Sequence, residues 1–180
     1  MARPFKRRKE PFKRDFETNV VEIKRVTRVV AGGKRMRFRA LVVAGDKKGR
    51  VGVGLKKGAD VADAVGKATE EARKNMITIA ITEQGSISHG VLQKYKASKI
   101  MLKPAPSGTG IIAGGPIRAV VDLAGIRNIS SKMLGSANKV SNVRATYEAL
   151  KKFTKAPEKV EAESEKAAPS GAKGIKAKTA

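Results

Sequence analysis

Three aliphatic runs joined by glycine-bearing turns occupy the first third of this chain and limit what it can become. VVEIKRVTRVV, FRALVVA and RVGVGL are rich in β-branched residues, and AGGKRMR and GDKKG between them carry the glycines that tight connections need. The pattern predicts a three-stranded antiparallel meander beginning at Asn19. In the third run Val51, Val53 and Leu55 fall on one face and Gly52 and Gly54 on the other, because strand side chains alternate. A glycine face lets another backbone press close, and a packed helix is the expected occupant. Asp60 stands where it can cap that helix, which runs to about Asn75 with Val61, Ala64, Val65, Ala68 and Ala72 recurring at helical spacing. Ile77, Ile79 and Ile81 then alternate, as in a strand or a connection to a second unit.

The second unit begins near Gly85. GVLQKY and SKIMLKPA read as strands and lead to a glycine-rich loop, PSGTGIIAGGP. Pro116 suits the first turn of a helix that passes through Val120, Val121 and Ala124 and stops at Gly125. A short strand at 128–134 precedes a last helix over 139–153, with Val140, Val143, Tyr147 and Leu150 facing inward. The order is β-β-α-β-α, so the fold class is α+β in both units. The expected organisation is a basic, Phe-containing arm at 1–18, a first domain at 19–84, a second at 85–154 and a charged tail at 155–180 that is expected to be disordered.

Charge narrows the function. The chain holds 39 Lys plus Arg against 16 Asp plus Glu, a formal net charge of +23. Residues 18–154 keep 26 of the cations and 9 of the acids, so the excess belongs to a folded surface and not merely to the ends. Phosphate backbones are the usual polyanion to meet such a field. No apolar run approaches the roughly 18 residues of a spanning helix, so membrane insertion is not expected. The basic N-terminal stretch lacks a secretory-type apolar core and contains Glu10, Asp15 and Glu17, so the chain is expected to work in the cytoplasm, where it is made. In the arm Phe5, Phe12 and Phe16 interleave with Arg3, Lys6, Arg7, Arg8, Lys13 and Arg14, a mixture suited to phosphates and stacked rings.

Chemistry is hard to place. There is no cysteine and one histidine, His89, which excludes thiolate metal sites and gives no zinc set from this chain. Gly52, Gly54 and Gly58 miss the dinucleotide fingerprint by one residue, as do Gly108, Gly110 and Gly114. Ser86 and Ser88 beside His89 lie in a turn-rich connector without a nucleophile elbow. No catalytic residue, metal ligand or cofactor is assigned. The hairpin is more informative: Lys24, Arg25, Arg28, Lys34, Arg35, Arg37 and Arg39 crowd sixteen positions around Gly32 and Gly33, which suits reading of an RNA backbone. A solvated cationic edge that discourages strand aggregation is the alternative.

GKRMRFRALVVAGDKKGRVGVGLKK from Gly33 to Lys57 resembles the signature of the bacterial-type small-subunit ribosomal protein S five family. EEARKNMITI from Glu70, SGTGIIAGGPIRAVVDLAGI from Ser107 and NVRATYEAL from Asn142 resemble the same family, so the likeness covers residues 19–153. It implies an N-terminal domain like a double-stranded-RNA-binding fold, touching the subunit head, and a C-terminal α+β domain touching the body. It also implies a non-enzymatic ribosomal protein that stabilises head against body and, with ribosomal protein S four, contributes to translational accuracy. Contact with S eight and a position near the mRNA entry path are implied as well.

On this chain the family's rRNA-contacting loop, beside which spectinomycin binds on rRNA, falls on Val30 to Arg37. The expected rRNA-binding set is Lys24, Arg25, Arg28, Gly32, Gly33, Lys34, Arg35, Arg37, Arg39, Lys56 and Lys57. Gly108, Thr109, Gly110 and Arg118 map to the side facing S four. LKKGADV (55–61) and Pro116 depart somewhat from the family pattern. A free RNA-binding protein or RNA chaperone is the competing reading.

Overall fold

A computed structural model of the chain describes residues 16–154; the arm expected at 1–18, apart from its last three residues, and the tail expected at 155–180 lie outside them. The three glycine-joined runs form strands β1 (Glu17–Val30), β2 (Gly33–Gly45) and β3 (Arg50–Gly58), each antiparallel to the next. The meander gains a fourth member, because MITIAI contributes β4 (Met76–Thr78) to the far edge of β3, giving the order β1-β2-β3-β4. Only three residues pair there, since Ile79 leaves the sheet to donate its N–H to the Gly49 carbonyl at 2.8 Å. Phe16 packs beneath the Arg50 guanidinium, 5.2 Å from its ring centre.

Helix α1 (Val61–Lys74) lies on the glycine face of β3. A Cβ on Gly52 would overlap the Ala72 carbonyl oxygen, and one on Gly54 the Ala68 carbonyl oxygen, so helix and strand meet backbone to backbone. The buried stripe is Ala64, Ala68 and Ala72, small enough to permit that approach, while Val61 and Val65 are half-buried. One expectation is corrected. Asp60 occupies the cap position in extended conformation, but its side chain accepts no capping bond. The carboxylate that serves the helix start is Asp63, which reaches back to the Ala59 N–H at 3.2 Å and pairs with Lys67 at 2.8 Å. Hydrogen bonding from Lys67, then from Ala59, holds Asp63 below the usual carboxylate range, with the nearby charges of Lys67 and Arg37 adding to it.

The second unit is β5 (Val91–Tyr95), β6 (Ser98–Pro104), β7 (Ile111–Ile112), α2 (Gly115–Ala124), β8 (Ile129–Met133) and α3 (Lys139–Lys151), which ends in a 3₁₀ turn at Lys152–Thr154. Its sheet runs β5-β6-β8-β7, with β7 parallel to β8 and the other pairs antiparallel. The order expected from sequence lacked β7, whose two residues are too few to show alternation. Pro116 sits in the first turn of α2, and Gly125 closes the helix in the left-handed region, φ +86°.

The two sheets share one core. Leu41, Val43 and Val51 from the first join Ile100 and Ile129 from the second, Ile117, Val120 and Val121 from α2, and Val143 and Leu150 from α3. The β2–β3 turn docks on the end of α2, where Lys47 N–H donates to the Leu123 carbonyl at 3.0 Å and Gly49 N–H to the Ala124 carbonyl at 2.9 Å. Those carbonyls belong to the last helical turn and have no partner within the helix, so the docking satisfies groups that burial would otherwise leave unpaired. Asp46 shapes the turn: its carboxylate accepts from Lys48 N–H at 2.8 Å, Arg50 N–H at 3.0 Å and the Arg50 side chain at 2.7 Å. Burial works to raise the Asp46 pKa, but these donors together outweigh it and the net shift is downward.

Two outcomes follow from this packing. Replacing Gly54 by Val forces α1 off the sheet and costs about 3 kcal/mol or more of stability, read as a fall in the thermal midpoint; an unchanged midpoint would contradict the backbone contact. Removing the Asp46 carboxylate with Asp46→Ala costs about 1–3 kcal/mol at neutral pH, as bonds to a charged acceptor do. Because the folded pKa is lowered, that contribution is complete above the ordinary value of 3.8 and fades as the pH falls through the lower folded value. Melting curves of the wild type and the variant therefore converge in acid, whereas a constant gap down to strong acid would assign the stability to something other than the carboxylate.

Candidate RNA-binding surface

Beyond Phe38, strands β1 and β2 leave the body of the sheet as a two-stranded ribbon whose residues 27–37 are all exposed. Val30 pairs with Gly33 across the two-residue turn Ala31–Gly32. Gly33 takes φ +132°, which side-chain-bearing residues rarely adopt, and Gly32 stands in open space.

The register decides which way the cations point. Lys24 lies opposite Arg39, Val26 opposite Arg37, Arg28 opposite Arg35, and Arg39 opposite Lys57 on β3. Directly opposed residues share a face, so Lys24, Arg28, Arg35, Arg37, Arg39 and Lys57 all project on the side away from α1. Three of these oppositions join like charges, which destabilise a sheet when they stand directly opposite one another. A polyanion laid along this face would turn that cost into attraction.

Ion pairs on the chain itself relieve little of it. Lys24 is 3.5 Å from Glu22, and Lys56 is 3.1 Å from Glu71, which also accepts the Leu55 N–H at 2.6 Å. Lys56 thus lies on the helix side of β3 and is committed to that carboxylate. Arg25, Arg28, Lys34, Arg35, Arg39 and Lys57 stand in no ion pair among the described residues. Arg25 and Lys34 are on the opposite face of the ribbon from the other cations. They share it with Ile23, Val29 and Met36, and Val29 is the most exposed large hydrophobic of the described residues at 75%. Composition drew attention to the cations and passed over these aliphatics; their face becomes visible only with the register.

The second predicted cluster lies in the other unit. Gly108 and Gly110 both have positive φ, +90° and +75°, in a loop closed by the Thr109 N–H on the Pro106 carbonyl at 3.3 Å. Gly108 and Thr109 are exposed, and Arg118 is exposed on the first turn of α2. Strand β7 intervenes in sequence between the loop and Arg118. Asn128, missed from the sequence, holds the loop: its side-chain oxygen accepts the Gly110 N–H at 3.1 Å while its amide donates to the Gln84 carbonyl at 2.7 Å. An amide directly before Ile129 and two residues after Ile126 was the available signal.

Among the described residues no three His, Asp or Glu side chains gather as a metal would require, and no helix is long and apolar enough to cross a membrane. The surface offers charge and shape.

Comparison with known proteins gives the same direction. Residues 16–80 match the family model described as Ribosomal protein S5, N-terminal domain, and residues 93–164 the one described as Ribosomal protein S5, C-terminal domain. The chain is 48% identical over 148 residues to small ribosomal subunit protein uS5 of Thermosynechococcus vestitus, covering 80% of this chain and 85% of that one. It is 47% identical over 137 residues to uS5c of Guillardia theta, covering 76% and 80%. It is also 50% identical over 145 residues to uS5c of Spinacia oleracea, where the match takes 81% of this chain but spans only 47% of the spinach protein.

If the ribbon's cationic face meets phosphates, Arg28→Ala and Arg35→Ala each lower the slope of log affinity against log salt for duplex RNA by about 0.9, the value for one lost phosphate contact. Lys56→Ala, at a cation already paired with Glu71, leaves the slope nearly unchanged. Filter-binding titrations across a salt series distinguish the two, and equal slopes for all three variants would remove the distinction.

Proposed function

The chain belongs to the ribosomal protein S5 family, and we propose that its β1–β2 ribbon is the element that binds small-subunit rRNA within the ribosome. Membership makes it a structural component of the small ribosomal subunit, working among rRNA and other ribosomal proteins, in a family not known for enzymes. The observation that carries the assignment to the ribbon is the face shared by Lys24, Arg28, Arg35, Arg37, Arg39 and Lys57, where like charges stand opposed and, among the described residues, Arg28, Arg35, Arg39 and Lys57 are in no ion pair.

Our reading assigns RNA contact chiefly to residues 19–84 and protein contact to residues 85–154. Lys24, Arg28, Arg35, Arg37, Arg39 and Lys57 meet phosphates from one side of the ribbon, Arg25 and Lys34 from the other, and Gly32 and Gly33 let the tip enter a narrow space. Lys56, held by Glu71, acts through the local field more than by direct contact. Spectinomycin would then lie on rRNA near this tip. Gly108, Thr109, Gly110 and Arg118 face ribosomal protein S four, and what supports this is the exposure of Gly108 and Thr109 on a loop pinned by Asn128 and of Arg118 on the first turn of α2. Through that contact, and one with S eight, the protein would steady the head against the body and influence translational accuracy, close to the mRNA entry path. The shared core and the bonded β2–β3 turn favour such a role, because a load on one unit is passed to the other.

The test is incorporation. Small subunits from cells expressing a tagged copy are washed at raised salt on a sucrose gradient and quantified against another small-subunit protein. The wild type stays one-to-one, a Lys34→Glu, Arg35→Glu double variant is depleted several-fold, and Lys173→Glu with Lys176→Glu stays close to wild type. Equal loss from both variants would deny the ribbon its role, and recovery of the wild type mainly in light fractions would favour a free RNA-binding protein.

A further inference from the structure

Among the described residues the second sheet is covered on one side only. Helices α2 and α3 pack on the side that carries Val91, Ile100, Leu102 and Ile129. The other side is set by the register, which places Leu92 opposite Met101, Met101 opposite Lys132, Lys94 opposite Lys99, and Lys103 opposite Ser130. Ile112 on β7 extends the last row. Leu134, whose N–H donates to the Lys99 carbonyl at 2.8 Å, carries the β8 alternation one residue further onto this side.

The charge on this face is of one sign: Lys94, Lys99, Lys103 and Lys132 are all exposed, and no strand residue on it is acidic. Between them Leu92, Ile112 and Leu134 keep 52%, 55% and 51% of their surface in water. Exposed aliphatics on the edge strands β5 and β7 and at the end of β8 thus alternate with lysines on β5, β6 and β8, a mixed apolar and cationic face of the kind that marks an interaction site. Its composition also differs from that of the ribbon. The ribbon's cationic face is mostly arginine, whose planar fork suits phosphate, whereas this one has only lysine and leaves its aliphatics without a use against a phosphate backbone. A second copy of the chain is a poor occupant, since four lysines would meet four lysines.

We propose that this bare face of the β5-β6-β8-β7 sheet docks a protein segment that presents carboxylates to the four lysines and aliphatic side chains to Leu92, Met101 and Leu134. The inference depends on the ribosomal reading only for the particle in which it is tested.

A photo-crosslinking residue is placed at Leu92 or Leu134 of the full chain, and in a separate chain at Val30 on the ribbon, and small subunits that have incorporated each are irradiated. The expected product from Leu92 and Leu134 is a covalent link to another protein, at a peptide containing Asp or Glu together with Leu, Ile or Val. Lys94→Glu with Lys99→Glu should lower the yield, normalised to incorporated chain, by about five-fold or more, as reversal of complementary charge does, and Leu92→Ser beside a probe at Leu134 should lower it too. Links to rRNA, links to a peptide without carboxylates, or no link at all would overturn the proposal. The Val30 probe reports separately: its failure to reach rRNA would fell the ribbon assignment and leave this one standing.

Discussion

Two backbone hydrogen bonds, from the Lys47 and Gly49 N–H groups to the last carbonyls of α2, hold the β2–β3 turn in place, and much of the architecture depends on them. Their geometry demands a backbone that turns sharply and then approaches a helix end without side chains in the way. Lys47 supplies the turn at φ +57° and Gly49 at φ +96°, while Gly45 and Gly125 leave room for Leu123 and Lys47 respectively. Gly125 therefore meets two requirements at once. It must adopt a left-handed conformation to end α2, and it must have no Cβ because the Lys47 carbonyl oxygen occupies that space. With the turn seated, Leu41, Val43 and Val51 face Val120 and Val121 instead of water, and two small sheets become one core. A chain without cysteine, and nearly without aromatics inside, gains from this sharing, since each unit alone would bury a smaller fraction of its surface.

The same sheet serves two purposes along its length. Near its base the face turned away from α1 carries Leu41, Val43, Val51 and Val53 and is covered by the second unit. Further out, the same face of the same strands carries Arg39, Arg37 and Arg35 and is open. Glu22 stands at the boundary, 12% exposed, with Lys24 on one side and Lys139 of α3 on the other at 3.5 and 3.9 Å. The energetics change from burial of apolar area to repulsion awaiting a counter-charge within a few residues, while the alternation of β2 continues unbroken.

How much of this could be read in advance depended on how local each signal was. Gly52 and Gly54 announced the close helix because alternation puts both on one face, and Pro116 and Gly125 marked the two ends of α2 by their backbone preferences. Signals that depend on a distant partner were less legible. The short strands β4 and β7 exist through pairing with β3 and β8, and three or two residues carry no period of their own. Asp60 and Asp63 are chemically equivalent choices for the start of α1, and the approach of Ala59 and Lys67 decides between them. The inward side of α3 also includes Asn142 and Thr146, fully buried, where Thr146 donates to the Asn142 carbonyl at 2.8 Å and the Asn142 amide to the Ser136 carbonyl at 3.0 Å. A hydropathy stripe leaves such residues out. For the candidate site the cations were legible as a crowd, but their sorting onto two faces needed the pairing of β1 with β2, including the bulge between Val20 and Glu22.

That bulge has a bearing on how the ribbon can change in length. Val21 is the extra residue, and it sets the phase for everything between it and the tip. Deleting or inserting one residue on β1 alone would send Lys24 and Arg28 to the helix side while Arg35, Arg37 and Arg39 stayed where they are, splitting the cationic face. Removing one full alternation, two residues from each strand, would preserve every remaining opposition and only shorten the reach, by about 7 Å at the rise of an antiparallel strand. Evolution can thus retune how deeply the ribbon projects, but only in paired steps, so length variation in this element should come in even increments matched on both strands.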